Sequence, residues 1–96
     1  MATTRENLDF QAVSFTATNV AAVALLAANR EYLLIQNQSD LSGQDVWVRC
    51  DGIPATPDNN STHLPPRTAW EPVTPPAGPV SVITLAGTAP LHIVWG

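Results

Sequence analysis

Apolar and polar positions alternate along much of the chain with a period of two, the spacing of a strand that buries one face. In Asp45-Val-Trp-Val-Arg-Cys50, Val46, Val48 and Cys50 share one side while Trp47 and Arg49 share the other. Leu91, Ile93 and Trp95 alternate in the same way with His92 and Val94, and Pro79 to Leu85 is a β-branched run of strand length. Upstream, Gln11 to Thr18 sets Val13 and Phe15 among small polar residues, which predicts a strand with one wet face. Arg30 to Asn37 is denser, with an unbroken apolar run from Tyr32 to Ile35, and predicts a central strand buried on both faces. Val20 to Ala28 is ambiguous, because its alanines favour helix whereas Val20, Val23 and the neighbouring threonines favour strand; strand is the preferred reading.

Turn chemistry separates these runs. All nine prolines follow residue 53, which excludes long helices from the second half of the chain. Gln38 to Gln44 suits a tight loop, and Asp51 to Ser61 a long polar one that opens on the Asp51-Gly52 turn signal. Leu64 to Pro72 reads as extended, with a short strand over Thr68 to Glu71 that its prolines confine to a sheet edge or a strand end. Thr74 to Pro79 is a stiff turn, and Ala86-Gly87-Thr88 is expected to close a hairpin between the last two strands. About seven short strands predict an all-β domain, a small antiparallel β-sandwich or barrel of jelly-roll or immunoglobulin-like type, over residues 11–96. Residues 1–10 are expected to form an arm outside it, in which Leu8 and Phe10 are apolar anchors that order on a neighbouring subunit or on a larger assembly to which the chain docks.

Length and charge narrow the function. A chain of 96 residues supports one core and little room for a deep pocket. Only 12% of it is charged, with four Arg, no Lys and a net charge of −4, and the arginines are scattered singly. Nucleic acid is therefore not an expected partner, since phosphate binding needs clustered cations. A Lys-free, low-charge surface suits contact with other proteins, where Arg and large aromatics are enriched. The start of the chain has no apolar signal region, and the longest apolar stretch, Val20 to Ala28, is far shorter than the ~20 residues of a membrane helix. No membrane partner is expected, and the protein is read as soluble and made in a cytoplasm.

The residues that could carry chemistry are sparse. Cys50 is the single cysteine, so it has no disulfide partner in the chain and reads as a small core hydrophobe. His92 falls on the outer face of its strand and His63 in a loop, without metal-ligand spacing. The acids at Asp40, Asp51 and Asp58 lack the pattern of a calcium loop and read as turn residues. No enzyme, metal or cofactor is expected. Trp47 fits either the core or an interface, Trp70 lies in a Pro-flanked segment, and Trp95 ends a strand that must be tied into a sheet. An exposed row of such rings would alternatively stack on sugars, as in carbohydrate-binding modules.

Three segments together resemble a known class: Arg30-Glu-Tyr-Leu-Leu-Ile-Gln-Asn-Gln-Ser39, then Val46-Trp-Val48, then Leu64-Pro-Pro-Arg-Thr-Ala-Trp70-Glu71. They are similar to small virion proteins of tailed bacteriophages, in which an R-x-Y-L-x-I-Q-N strand leads to a V-x-V strand, an L-P-P-G-x-x-W/Y-E segment and a closing hairpin. The likeness covers roughly residues 15–95. It departs at Arg67, where glycine is common, and in the long 51–61 loop. The resemblance implies a β-sandwich in the virion that decorates the capsid, with a neck or tail subunit as the alternative, and it transfers no catalytic residue. On this reading the partners are the major capsid protein and further copies of the chain, a trimer first, and the candidate interface residues are Leu8, Phe10, Trp47, Arg67, Trp70 and Trp95.

Overall fold

The computed structural model describes residues 11–24 and 30–96, which form eight strands in two antiparallel sheets and no helix. The strands are β1 (Gln11–Ala17), β2 (Ala22–Ala24), β3 (Leu33–Asn37), β4 (Val46–Arg49), β5 (Thr62–Leu64), β6 (Ala69–Trp70), β7 (Val80–Thr84) and β8 (Ala89–Trp95). The first sheet has the order β1-β8-β3-β6 and the second β2-β7-β4-β5. In both sheets the outer pairs are β1 with β8, β2 with β7, β3 with β6 and β4 with β5. The chain is thus a long hairpin, folded back near the β4–β5 loop and rolled so that successive strand pairs alternate between sheets.

Period-two alternation decides which side chains meet. In the first sheet β8 sits between β1 and β3, with Ile93 opposite both Val13 and Ile35. In the second, Val48 faces Val82 on one side and Thr62 on the other. The inward residues Leu33, Ile35, Leu91 and Ile93 of one sheet and Val46, Val48, Leu64, Val80 and Val82 of the other are buried in a single core. Non-polar side chains of this shape lose about 0.8 kcal/mol per methylene when exposed, so the two sheets are held face to face chiefly by this cluster.

Several expectations are corrected. β3 is central but not buried on both faces: Leu33, Ile35 and Asn37 are buried, whereas Leu34 is half-buried and Gln36 exposed. The segment preceding Leu64 is a strand, β5, so His63 is a strand residue and not a loop residue. Residues 85–88 do not close a hairpin. β7 already has β2 and β4 as neighbours and β8 has β1 and β3, so the link is a corner between sheets. Gly87 turns that corner with φ 73°, in the left-handed region that glycine adopts without steric cost, and its carbonyl accepts the buried Thr84 hydroxyl at 2.8 Å. In the Val20–Ala28 stretch, Ala22–Ala24 is strand as preferred, and residues 25–29 lie outside the described residues.

Candidate functional site

The residues of the three-part motif are brought together. β3 and β6 are neighbours, and Ile35 is registered opposite Trp70, so Trp70 points into the sandwich and packs on the core. Tyr32 donates its hydroxyl to the Glu71 carboxylate across the same pair. Asn37 is fully buried, and its Nδ2 donates to the carbonyls of Gln44 (2.9 Å) and Leu64 (3.0 Å) while Oδ1 accepts the Ser39 amide (3.1 Å). Its backbone also receives Arg67 N–H and donates to Thr68 carbonyl. One residue therefore fastens the β3–β4 loop and β5 through its side chain and the turn before β6 through its backbone. Buried polar groups must be satisfied, and here a buried amide is satisfied by two backbone carbonyls and one backbone N–H.

Arg67 sits at the tip of the β5–β6 turn, exposed, with φ 61°. Thr68 N–H donates to Pro65 carbonyl, so Pro66 and Arg67 are the second and third residues of a turn of the kind that places proline and then glycine. The left-handed conformation costs a non-glycine residue about 1–2 kcal/mol. Replacement by glycine relieves that cost and increases the entropy of the unfolded chain by about 0.4–1 kcal/mol. Arg67→Gly is expected to raise stability by up to about 1 kcal/mol, as read by urea unfolding, and a clear loss of stability would refute the assignment of strain to this residue.

A second cluster lies on the outer face of the second sheet. Trp47, half-buried, is not a core residue: it stacks on His63 with ring centres 4.9 Å apart and planes 14° from parallel. Asp45 holds the His63 Nε2 at 2.7 Å. Ile83 is registered opposite Trp47 on the other side. Cross-strand alternation puts these side chains outward together, as one flat aromatic and aliphatic patch.

Trp95 is registered opposite Leu33 and packs against the core from the end of the first sheet. Two tryptophans thus face inward from one sheet and the third faces outward from the other, and the row of rings needed for a sugar platform is not formed. Leu8, Phe10 and the arm they belong to lie outside the described residues. Of the six residues expected at an interface, Trp70 and Trp95 pack on the core while staying half-buried, and Trp47 and Arg67 are directed outward among those described, Trp47 from the second sheet and Arg67 from the β5–β6 turn.

A third arrangement surrounds the end of β4. Arg30, buried, donates its Nη2 to the carbonyls of Pro76 and of Gly78, the latter at 2.8 Å. Gly78 lies so close to the chain that a Cβ there would collide with the carbonyl carbon and oxygen of Cys50. Burial pushes the Cys50 thiol up to about 11, against a smaller opposing pull from Arg30, so it stays protonated and a poor nucleophile. Asp51 accepts three hydrogen bonds from Arg49, at 2.8–3.1 Å, and these hold its carboxyl down at about 2. The pair is surface-exposed; its contribution is present above the ordinary carboxylate range and fades as pH falls toward 2.

Sequence reasoning missed this assembly, since Arg30 and Gly78 are distant in sequence and neither belongs to a chemical motif. Among the described residues no three His, Cys, Asp or Glu side chains gather closely enough to hold a metal ion, and no helix is long and apolar enough to cross a membrane. Compared with family models, with curated proteins and with solved structures, the chain matches none.

Proposed function

We propose that this chain is a non-enzymatic structural protein of a tailed-phage virion that decorates the capsid and acts by adhesion. Two observations support the reading. The strand orders β1-β8-β3-β6 and β2-β7-β4-β5 favour the jelly-roll reading of the two sheets, an architecture common in capsid proteins as well as in lectins and cupins. The one that carries it is the motif itself. Arg30, Tyr32 and Asn37 bond to the 76–78 segment, Glu71 and Leu64, and Arg67 holds the left-handed backbone suited to the glycine of the resembling proteins. These motif positions thus have structural tasks, as expected of a likeness in scaffold and not in chemistry.

The attachment surface is assigned to the Trp47–His63–Ile83 patch. A stacked aromatic centre with the Asp45 carboxylate bonded to His63 at its rim has the composition of an interface hot spot. Association with further copies, a trimer first, adds buried surface that a small domain lacks alone. Mixing the purified protein with capsids of its own phage assembled without it is expected to give co-sedimentation, and Trp47→Ala is expected to weaken it at least about tenfold, a usual loss at a hot spot. Thermal unfolding should change little, because the ring lies outside the core. Failure of the full chain to co-sediment refutes capsid decoration, and attachment to isolated necks or tails instead supports the alternative location.

A further inference from the structure

We propose that the concavity beside the β5 and β6 edges binds a neutral saccharide. This inference is independent of capsid attachment, since none of Trp47, His63 and Ile83 lines the concavity. The cavity is about 500 Å³, and its lining includes Trp70 from the first sheet, Thr62 from the second, the Arg49–Asp51 pair, Asn59 and Asn60. That size lies within the roughly 300–1,000 Å³ of small-ligand sites.

Both walls are fixed by bonds made elsewhere. On one side, the Asp58 carboxylate accepts Asn60 N–H (2.9 Å) and the Thr56 hydroxyl (2.7 Å), and Thr56 N–H donates to the Ser61 hydroxyl (3.0 Å). On the other, buried Arg30 ties down Pro76 and Gly78. A site that is already ordered loses little entropy when its ligand arrives.

The chemistry of the lining selects the ligand class. Trp70 and the prolines Pro72 and Pro76 offer an apolar wall, which fits the C–H face of a pyranose ring. Asp51, ionised throughout the neutral range, accepts from sugar hydroxyls, while Arg49 Nη1, which takes no part in the Asp51 pairing, donates to them. The amides of Asn59 and Asn60 offer both functions. Because Arg49 and Asp51 neutralise one another, the wall has no net charge to attract a phosphate or a cation, and hydroxyl groups are the polar chemistry it matches.

The test uses the full chain and four probes, glucose, galactose, mannose and N-acetylglucosamine, each at about 50 mM, enough to fill a site of millimolar affinity. Amide and indole NMR shifts are expected for at least one sugar at residues 49–51 and 59–62 and at the Trp70 indole, with the Trp47 indole unmoved. Asp51→Asn, an exposed substitution whose folding is checked by its melt, is expected to weaken that binding about tenfold. Absence of shifts with every sugar overturns the proposal, as do shifts that persist undiminished in Asp51→Asn. Shifts at the same residues with inorganic phosphate but with no sugar overturn it equally, and would make the cavity an anion site.

Discussion

Replacing Asn37 with alanine is expected to destabilise the protein by about 3 kcal/mol and to lower its melting temperature by roughly 12–24 °C. The side chain makes three hydrogen bonds from a fully buried position, and its removal takes a partner from the Gln44 and Leu64 carbonyls and the Ser39 amide. The Leu64 carbonyl and the Ser39 amide lose that bond in buried surroundings, which is why the cost exceeds that of a surface hydrogen bond. Asn37→Asp is the sharper variant. At neutral pH it sets a carboxylate against two carbonyl oxygens, so it should be at least as damaging as alanine. A carboxyl in such a place has its folded pKa raised, so the variant is penalised above the ordinary carboxylate range and recovers as pH falls and the acid becomes a donor. Denaturant melts at pH 7 and pH 4 measure both effects. An alanine variant within about 1 kcal/mol of the parent would show that the bonds carry far less than their burial implies.

Gly78→Ala is expected to cost about 3 kcal/mol, from overpacking together with loss of partners for a buried charge. Its φ is not in the left-handed region, so the cost does not come from backbone preference. The added methyl meets the Cys50 backbone, and the 76–78 segment can escape only by moving off Arg30. A second readout separates this from general weakening. Cys50 is partly buried, so displacement of the segment beside it should speed its reaction with a thiol reagent under native conditions. Unchanged stability together with unchanged thiol reactivity would mean the contact is relieved locally and that Arg30 does not depend on it.

The strands legible in the sequence are those whose alternation is strong and long enough to speak for itself: β1, β3, β4 and β7 fall within the predicted runs, and β8 extends its run, Leu91 to Trp95, back over Ala89 and Pro90. β5 was hidden because Thr62-His63-Leu64 has a single apolar residue, and it becomes a strand only through β4, whose Val46 and Val48 supply the register. The 85–88 link looked like a hairpin because local turn chemistry is the same for a hairpin and for a corner; which it becomes depends on neighbours remote in sequence. Trp47 was open between core and interface for a related reason. Alternation places it opposite Val46 and Val48, but whether that second face is covered depends on what lies outside the sheet. Among the site residues, the motif marked Arg30, Tyr32, Asn37, Trp70 and Glu71 as important without revealing their tasks, since hydrogen bonds to backbone carbonyls leave no trace in side-chain spacing. The concavity was not foreseen at all, because it is assembled from a β4 end, a loop and a proline-rich segment that meet only in three dimensions.

The pairing of β1 with β8 has a bearing on how the molecule is made. Gln11 is registered opposite Trp95, nearly the length of the chain away, and β2 likewise waits for β7. Closing such distant contacts costs loop entropy before any burial rewards it, which places the fold among slow, topologically remote folders. During synthesis the first sheet cannot assemble until its eighth strand has emerged. Until then β1 and β3 are separated by the place that β8 will fill, each with an unpaired edge, and this nascent stage is when association between chains most threatens the yield of native protein.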